Sequence, residues 1–220
     1  MRFEKKYYHW ITDRAIKFLK DSGELRPIIK PPIHFIIHRS NRYAKRKINI
    51  MTKVIQEYSQ EKINKSCGQQ AENLFCLGLL KRDFSVLGEK ANEFKGRKWT
   101  KTGHDLDYIF ERDGIAYGSE IKNTFGYIEK NEMDVKMEMC AFLKIRPLFI
   151  MRYAPKTWIN DIYKAGGYAL IFETKVFELG QIDLAKKIEK LLGLPVVCSA
   201  RIPEGIIMRF ENWHKKQVGM

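Results

Sequence analysis

Two strand-forming runs face each other across a tight turn in GHDLDYIFERDGIAYGSEIKN, residues 103–123. At the turn, Arg112-Asp113-Gly114, the Asp-Gly pair accepts the left-handed backbone that a short hairpin connection needs. Tyr, Ile and Phe crowd the flanks, so two antiparallel strands are expected here. A chain that commits to this hairpin must cover both of its faces, and the neighbouring segments carry helical patterns suited to that task.

Those patterns run on both sides. Gly68 is expected to open a helix at about 69–82, and FSVLGE to form a strand before the hairpin. A helix at about 128–144 follows, then RPLFIMRYA, a nearly continuous apolar run of the kind found in buried strands. A short helix near 156–164, a strand at YALIFE and a helix at about 181–192 complete the legible part. The tail from Leu194 gives no clear pattern. The order α-β-β-β-α-β-α-β implies an α/β fold with a mixed sheet between helices.

The first 65 residues differ in character. They hold 16 Lys and Arg against 6 Asp and Glu, a net of +10, whereas the remaining residues hold 24 against 20. From Leu25 to Gln56 there are 8 basic residues and no acid. Such a stretch attracts a polyanion, nucleic acid before an anionic membrane. Residues 11–22 have helical spacing, ELRPIIKPP turns, and IHFIIH has strand character. This helix and short hairpin, over roughly residues 7–40, resemble the recognition helix and wing of a winged helix-turn-helix domain. Residues 40–65 read as one long basic connector helix with Ile48, Met51, Val54, Ile55 and Tyr58 along its apolar stripe. Arg39 precedes it, and Arg42, Lys45, Arg46 and Lys47 cluster at its start. Cations there oppose the helix dipole, so they are expected to serve a nucleic-acid partner. The chain divides accordingly into a basic region, 1–65, and a second domain, 66–220.

Composition excludes several classes. Hydrophobic residues make up 45% of the chain, too many for wholesale disorder. No apolar run approaches the roughly 18 residues of a membrane span. MRFEKKYYHW lacks the apolar core of a secretory signal, so a cytoplasmic location is expected. Cys67, Cys76, Cys140 and Cys198 form no CxxC pair and read as reduced thiols.

The chemistry concentrates in the hairpin. Asp105 and Asp107 share a face of the first strand, and Glu120 and Lys122 share a face of the second, with Ile121 pointing away. Charged groups set among Tyr108, Ile109, Phe110 and Tyr117 are costly unless they bind something. Upstream, Glu72 lies three, four and seven residues from Phe75, Cys76 and Leu79. That spacing puts its carboxylate on the apolar face of its helix, aimed inward.

Asp107, then Glu120-Ile121-Lys122, with Glu72 upstream, resembles the site of the PD-(D/E)xK nuclease superfamily, which has the restriction-endonuclease-like αβββαβ core. The likeness covers about residues 66–153. The proline usual before the first acid is absent: Leu106 precedes Asp107. The resemblance implies a Mg²⁺-dependent DNA endonuclease, with Mn²⁺ as a substitute, leaving 5′-phosphate and 3′-hydroxyl ends. Asp107, Glu120, the Ile121 carbonyl and Glu72 would hold metal, and Lys122 would orient water and balance charge on phosphorus. Asp105 is the alternative to Asp107. Arg97, Lys98 and Lys101 in the loop GRKWTKTGH, together with Asn123, are candidate backbone contacts. His104 beside the site, Trp99 as a stacking residue, and Lys130 and Lys136 facing DNA are weaker candidates. A homodimer would supply two sites for two strands. Other readings are DNA binding without catalysis, and a nuclease acting on RNA or on a four-way junction.

Overall fold

The computed structural model describes residues 9–219, so the start of MRFEKKYYHW lies outside the described residues. The chain forms two compact units. Among the described residues, one comprises 9–63 with 183–196, the other 64–182 with 197–219.

In the first unit, α1 (His9–Asp21) is followed by a two-stranded ribbon of β1 (Leu25–Lys30) and β2 (Ile33–His38). ELRPIIK is therefore a strand in its larger part rather than a turn. Pro27 is tolerated because both strands of a two-stranded ribbon are edges, where a missing N–H breaks no inner ladder. Next comes α2 (Ala44–Tyr58), which buries Ala44, Ile48 and Val54. The expected single helix over 40–65 is two helices. Ser59 and Gln60 interrupt it, and α3 (Glu61–Leu80) begins at once. Gly68 accordingly lies inside α3 and opens nothing. The burial of Cys67, Ala71, Leu74, Phe75 and Leu79 along α3 outweighs the modest cost of a mid-helix glycine.

The second unit is α/β, with a mixed five-stranded sheet flanked by helices. After α3 come β3 (Ser85–Ala91), the short ribbon β4 (Glu93–Phe94) and β5 (Arg97–Lys98), then the hairpin of β6 (Leu106–Arg112) and β7 (Ile115–Lys122). Asp113 and Gly114 take φ of 52° and 73°, the left-handed pair the turn requires. Helix α4 (Lys130–Leu143), β8 (Arg146–Met151), α5 (Lys156–Lys164) and β9 (Tyr168–Ile171) follow. The sheet order is β3-β6-β7-β8-β9. β7 runs antiparallel to β6 and parallel to β8, so the middle strand is where the sheet changes sense.

β10 (Lys175–Phe177) and α6 (Ile182–Leu192), the helix expected at about 181–192, come next, and the tail from Leu194 holds β11 (Val196–Cys198) and α7 (Glu204–Gln217). α7 is a core element. Ile207 and Phe210 pack with Phe84, Tyr117, Leu148 and Leu170 on one face of the sheet. Its buried His214 receives the Tyr117 hydroxyl at Nδ1 (2.7 Å) and meets Asp113 through Nε2 (2.9 Å). On the other face, α4 contributes Met139, Cys140 and Leu143 to a cluster with Leu106 and Ile109. No helix among the described residues is long and apolar enough to cross a membrane.

Gly118 lets α4 approach β7. A Cβ there would lie 2.8 Å from Cys140 Sγ and equally close to side-chain atoms of Ile145 and Leu106. Gly118→Ala is therefore expected to destabilise by about 1–3 kcal/mol through overpacking, read as a lower urea midpoint with an unchanged slope.

Candidate active site

β6 and β7 are antiparallel, so the start of one and the end of the other lie at the same edge of the sheet. Tyr108 pairs with Ser119, which sets Asp107 beside Glu120. The Ile121 N–H donates to Asp107 Oδ2 at 2.6 Å, fixing the carboxylate against the end of β7. Ile121 itself is buried in the core on the other face, as the alternation requires.

Glu120 is 2% exposed, on the middle strand of the sheet. A buried carboxylate needs compensation, and two lysines supply it. Lys122 Nζ lies 2.8 Å from Oε1, and Lys136 Nζ lies 2.5 Å from Oε2. The second is a charge contact, because no aligned hydrogen-bond donor reaches Oε2. Lys136 is itself 4% exposed, and its ammonium also donates to the Asp105 carbonyl. The reading of Lys136 as a residue facing DNA is corrected: it points inward, three residues after buried Met133 and four before buried Cys140. Lys122 is shared with Glu132 of α4, at 2.8 Å.

The charges act on one another. Burial pushes the Asp107 carboxyl up to about 7; Glu120 adds to this, the Ile121 N–H opposes it, and Glu72 raises it further. Glu72, half-buried on α3, is raised by burial, opposed by Lys90, and raised again by Glu120. Burial disfavours the Lys122 ammonium, but the contacts with Glu120 and Glu132 outweigh this and hold it above the ordinary lysine range. Lys122 therefore stays protonated at neutral pH. Glu72 acts on Asp107, Glu120 and Lys122, and Glu120 acts on Asp107 and Lys122, whereas Asp105 enters through its backbone carbonyl.

The donor set suits a hard cation. Its groups are oxygens, and burial first and neighbouring carboxylates second hold Asp107 and Glu72 above their ordinary carboxyl values, a cost that a cation would relieve. Among the described residues no three His, Cys, Asp or Glu side chains are gathered closely enough to enclose an ion. Both oxygens of Glu120 are directed at ammonium groups.

Other expectations meet mixed outcomes. Asn123 is buried, and its amide is consumed. Nδ2 donates to the Cys67 and Val176 carbonyls (2.8 and 2.7 Å), and Oδ1 accepts from the Val176 N–H. Its placement as a phosphate contact is corrected on that ground. Trp99 is buried, with Nε1 donating to Thr102 Oγ1 at 2.9 Å, so it packs rather than stacks on a base. His104 meets Thr102 Oγ1 at 3.0 Å. Arg97, Lys98 and Lys101 are exposed; Arg97 donates to the Phe142 carbonyl and Lys101 pairs with Glu138. Lys130 is exposed and paired with Asp134. Arg39, Arg42, Lys45, Arg46 and Lys47 are all exposed on the first unit. The four cysteines form no disulfide.

Lys90 and Glu132 were not read from the sequence as site residues, and Lys136 was read only as a cation facing DNA. A signal existed for Lys136, whose spacing from Met133 and Cys140 marks an inward position by the same rule that marks Glu72. Lys90 and Glu132 carry no such mark.

Replacing Lys136 by Met leaves Glu120 short of a partner and is expected to cost about 3 kcal/mol in urea unfolding, a loss smaller in the Glu120→Gln background. Asp107 must lose its proton before it can hold a cation, so cation binding weakens as pH falls through about 7. Mg²⁺ is expected to raise Tm at about pH 8 and not at about pH 5.5, an effect lost in Asp107→Asn. Because its folded-state value is raised, Asp107 favours the fold when protonated and loses that advantage as pH rises through about 7. Without metal, Asp107→Asn is therefore expected to melt a few degrees higher than wild type at about pH 8, with the gap closing toward acid.

No family model, no curated protein and no solved structure matches this chain.

Proposed function

We propose that the second unit is a Mg²⁺-dependent endonuclease on a restriction-endonuclease-like core, hydrolysing phosphodiester bonds in DNA. The basic N-terminal region, with its winged-helix-like helix and ribbon, would bind DNA. The observation that carries this reading is the joint placement of Asp107 and Glu120 on neighbouring strand ends, coupled to Glu72 and flanked by a protonated Lys122.

Asp107, Glu120, the Ile121 carbonyl and Glu72 would hold the metal. When bound, a divalent cation polarises a phosphate and lowers the pKa of a coordinated water. Lys122 is fully protonated at neutral pH, so it is no proton acceptor. Its ammonium can hold a water by its lone pair and offset charge developing on the phosphate. Lys136 holds Glu120 from α4 and keeps it on the strand end. The exposed Arg39, Arg42, Lys45, Arg46 and Lys47 would contact phosphates, which identify no sequence but fix the position of the duplex. Tyr43 caps α2 with no side-chain bond, and no acid lies in its first turn, so cations there gain nothing from the helix itself. Arg97, Lys98 and Lys101 would add a second backbone contact beside the strand ends.

One observation favours a competing reading, DNA binding without catalysis. The negative charge of Glu120 is already answered by Lys122 and Lys136. The discriminating experiment is incubation of the purified chain with supercoiled plasmid, branched DNA and RNA, with Mg²⁺ or with EDTA. The expected outcome is Mg²⁺-dependent cleavage of DNA that falls by roughly 10²–10³ in Lys122→Ala and Asp107→Ala. Cleavage that survives EDTA or either substitution overturns the site. Salt-sensitive binding with no cleavage under any metal, its affinity dropping steeply between about 50 and 200 mM salt, establishes the competing reading.

A further inference from the structure

Two segments leave the sheet at the edge where Asp107 and Glu120 meet. One joins Lys122 to α4. The other follows Met151, the residue paired with Lys122 on β8. Each carries an exposed tyrosine, Tyr127 at 42% and Tyr153 at 38%. Their rings are stacked, with centroids 5.2 Å apart and planes 23° from parallel. Trp158 meets Tyr127 edge-on at 6.0 Å, and the Lys130 ammonium lies 6.0 Å from the Trp158 ring.

Packing alone does not account for this pair. The apolar cluster below is filled by Ile128, Met133, Phe149, Met151 and Ile162, with Trp158 against it, while the two tyrosines lie outside it with part of their surface exposed. The loop that carries Tyr127 is also fixed firmly. Asn123 anchors its start through three hydrogen bonds. Arg152 donates to the Thr124 carbonyl at 2.9 Å. The Phe125 ring takes Arg152 at 5.1 Å and Lys175 at 4.7 Å from its centroid. Tyr127 thus projects from an ordered base, so little entropy remains to be lost when a ligand settles on it.

We propose that Tyr127 and Tyr153 form a stacking platform for an unpaired nucleobase adjoining the scissile phosphate, so that the substrate is a strand with unpaired nucleotides rather than an uninterrupted duplex. This rests on the phosphodiester reading of Asp107, Glu120 and Lys122. A nucleobase in a duplex has both faces covered by its neighbours, so an exposed ring pair engages a base only where the strand is open. The local charge agrees. Lys130 is held by Asp134, and the neighbouring Glu129 is exposed, so the patch attracts phosphate weakly and selects through its rings. The phosphates on either side would be met by the cations nearer the carboxylates.

The test uses the full chain in EDTA, where no hydrolysis is read. A single-stranded oligonucleotide carrying 2-aminopurine, in DNA and in RNA form, and a blunt hairpin duplex are titrated by fluorescence. Tyr153→Ala and Tyr127→Ala are expected to weaken single-strand binding about fivefold or more and to reduce the stacking quench, with duplex affinity within about twofold of wild type. Tyr153→Phe retains both signals. Tyr153→Leu, which keeps bulk without a ring, loses them, and this separates stacking from folding. Ring dependence on either the DNA or the RNA strand supports the platform. Equal losses on strand and duplex, or no loss on any strand, overturn it. Absence of cleavage in Mg²⁺ tells against the nuclease reading and leaves these binding results as they stand. Normal cleavage with no ring dependence removes the platform alone.

Discussion

A carboxylate buried in the middle strand of the sheet is the constraint around which the second unit is arranged. Glu120 sits where water cannot solvate it, between strands that differ in sense. An isolated charge in that position would be neutralised or would unfold the site. The chain resolves this by bringing ammonium groups to it from two directions, Lys122 from the same strand and Lys136 from α4. The close seating of α4 that this needs is permitted by the bare Cα of Gly118, against which Cys140 and Ile145 close. The electrostatic requirement and the packing requirement therefore fall on the same two elements.

The arrangement leaves Asp107 as the poised group. It is tied to the Ile121 N–H yet raised to about 7 by burial and by the charges of Glu120 and Glu72. A carboxyl in that range responds to small changes in local charge near neutral pH. The excess is matched by Lys122, which is locked in its charged form. Acids pushed upward beside a base held protonated are the arrangement on which the proposed metal-dependent reading rests.

The hairpin and the placement of its charged residues were legible because both rest on local rules. Asp113-Gly114 fixes the turn, period-two alternation assigns Glu120 and Lys122 to one face and Ile121 to the other, and helical spacing turns Glu72 inward. α4, α5 and β9 follow from local pattern in the same way, and β8 from its nearly continuous apolar run. The misreadings have a common cause in context. Gly68 looked like a helix start because glycine is a poor helix former, but burial on both sides of it carried α3 through. LRPIIK looked like a turn because of Pro27, which an edge strand accommodates. Asn123 looked like a surface polar residue at the end of a strand, but strand end and loop close around it.

By itself, the sequence determined that the chain is α/β, that its positive charge gathers in the first 65 residues, and that Asp107, Glu120 and Lys122 share one edge of a hairpin, since each follows from local spacing or composition. Tertiary structure alone decided that Lys136 reaches Glu120, that α7 with Phe210 and His214 closes one face of the sheet, and that Tyr127 meets Tyr153. Those pairings join residues far apart in the chain, or turn on which face of α4 packs inward. No local pattern encodes which distant side chain will arrive when the sheet is covered.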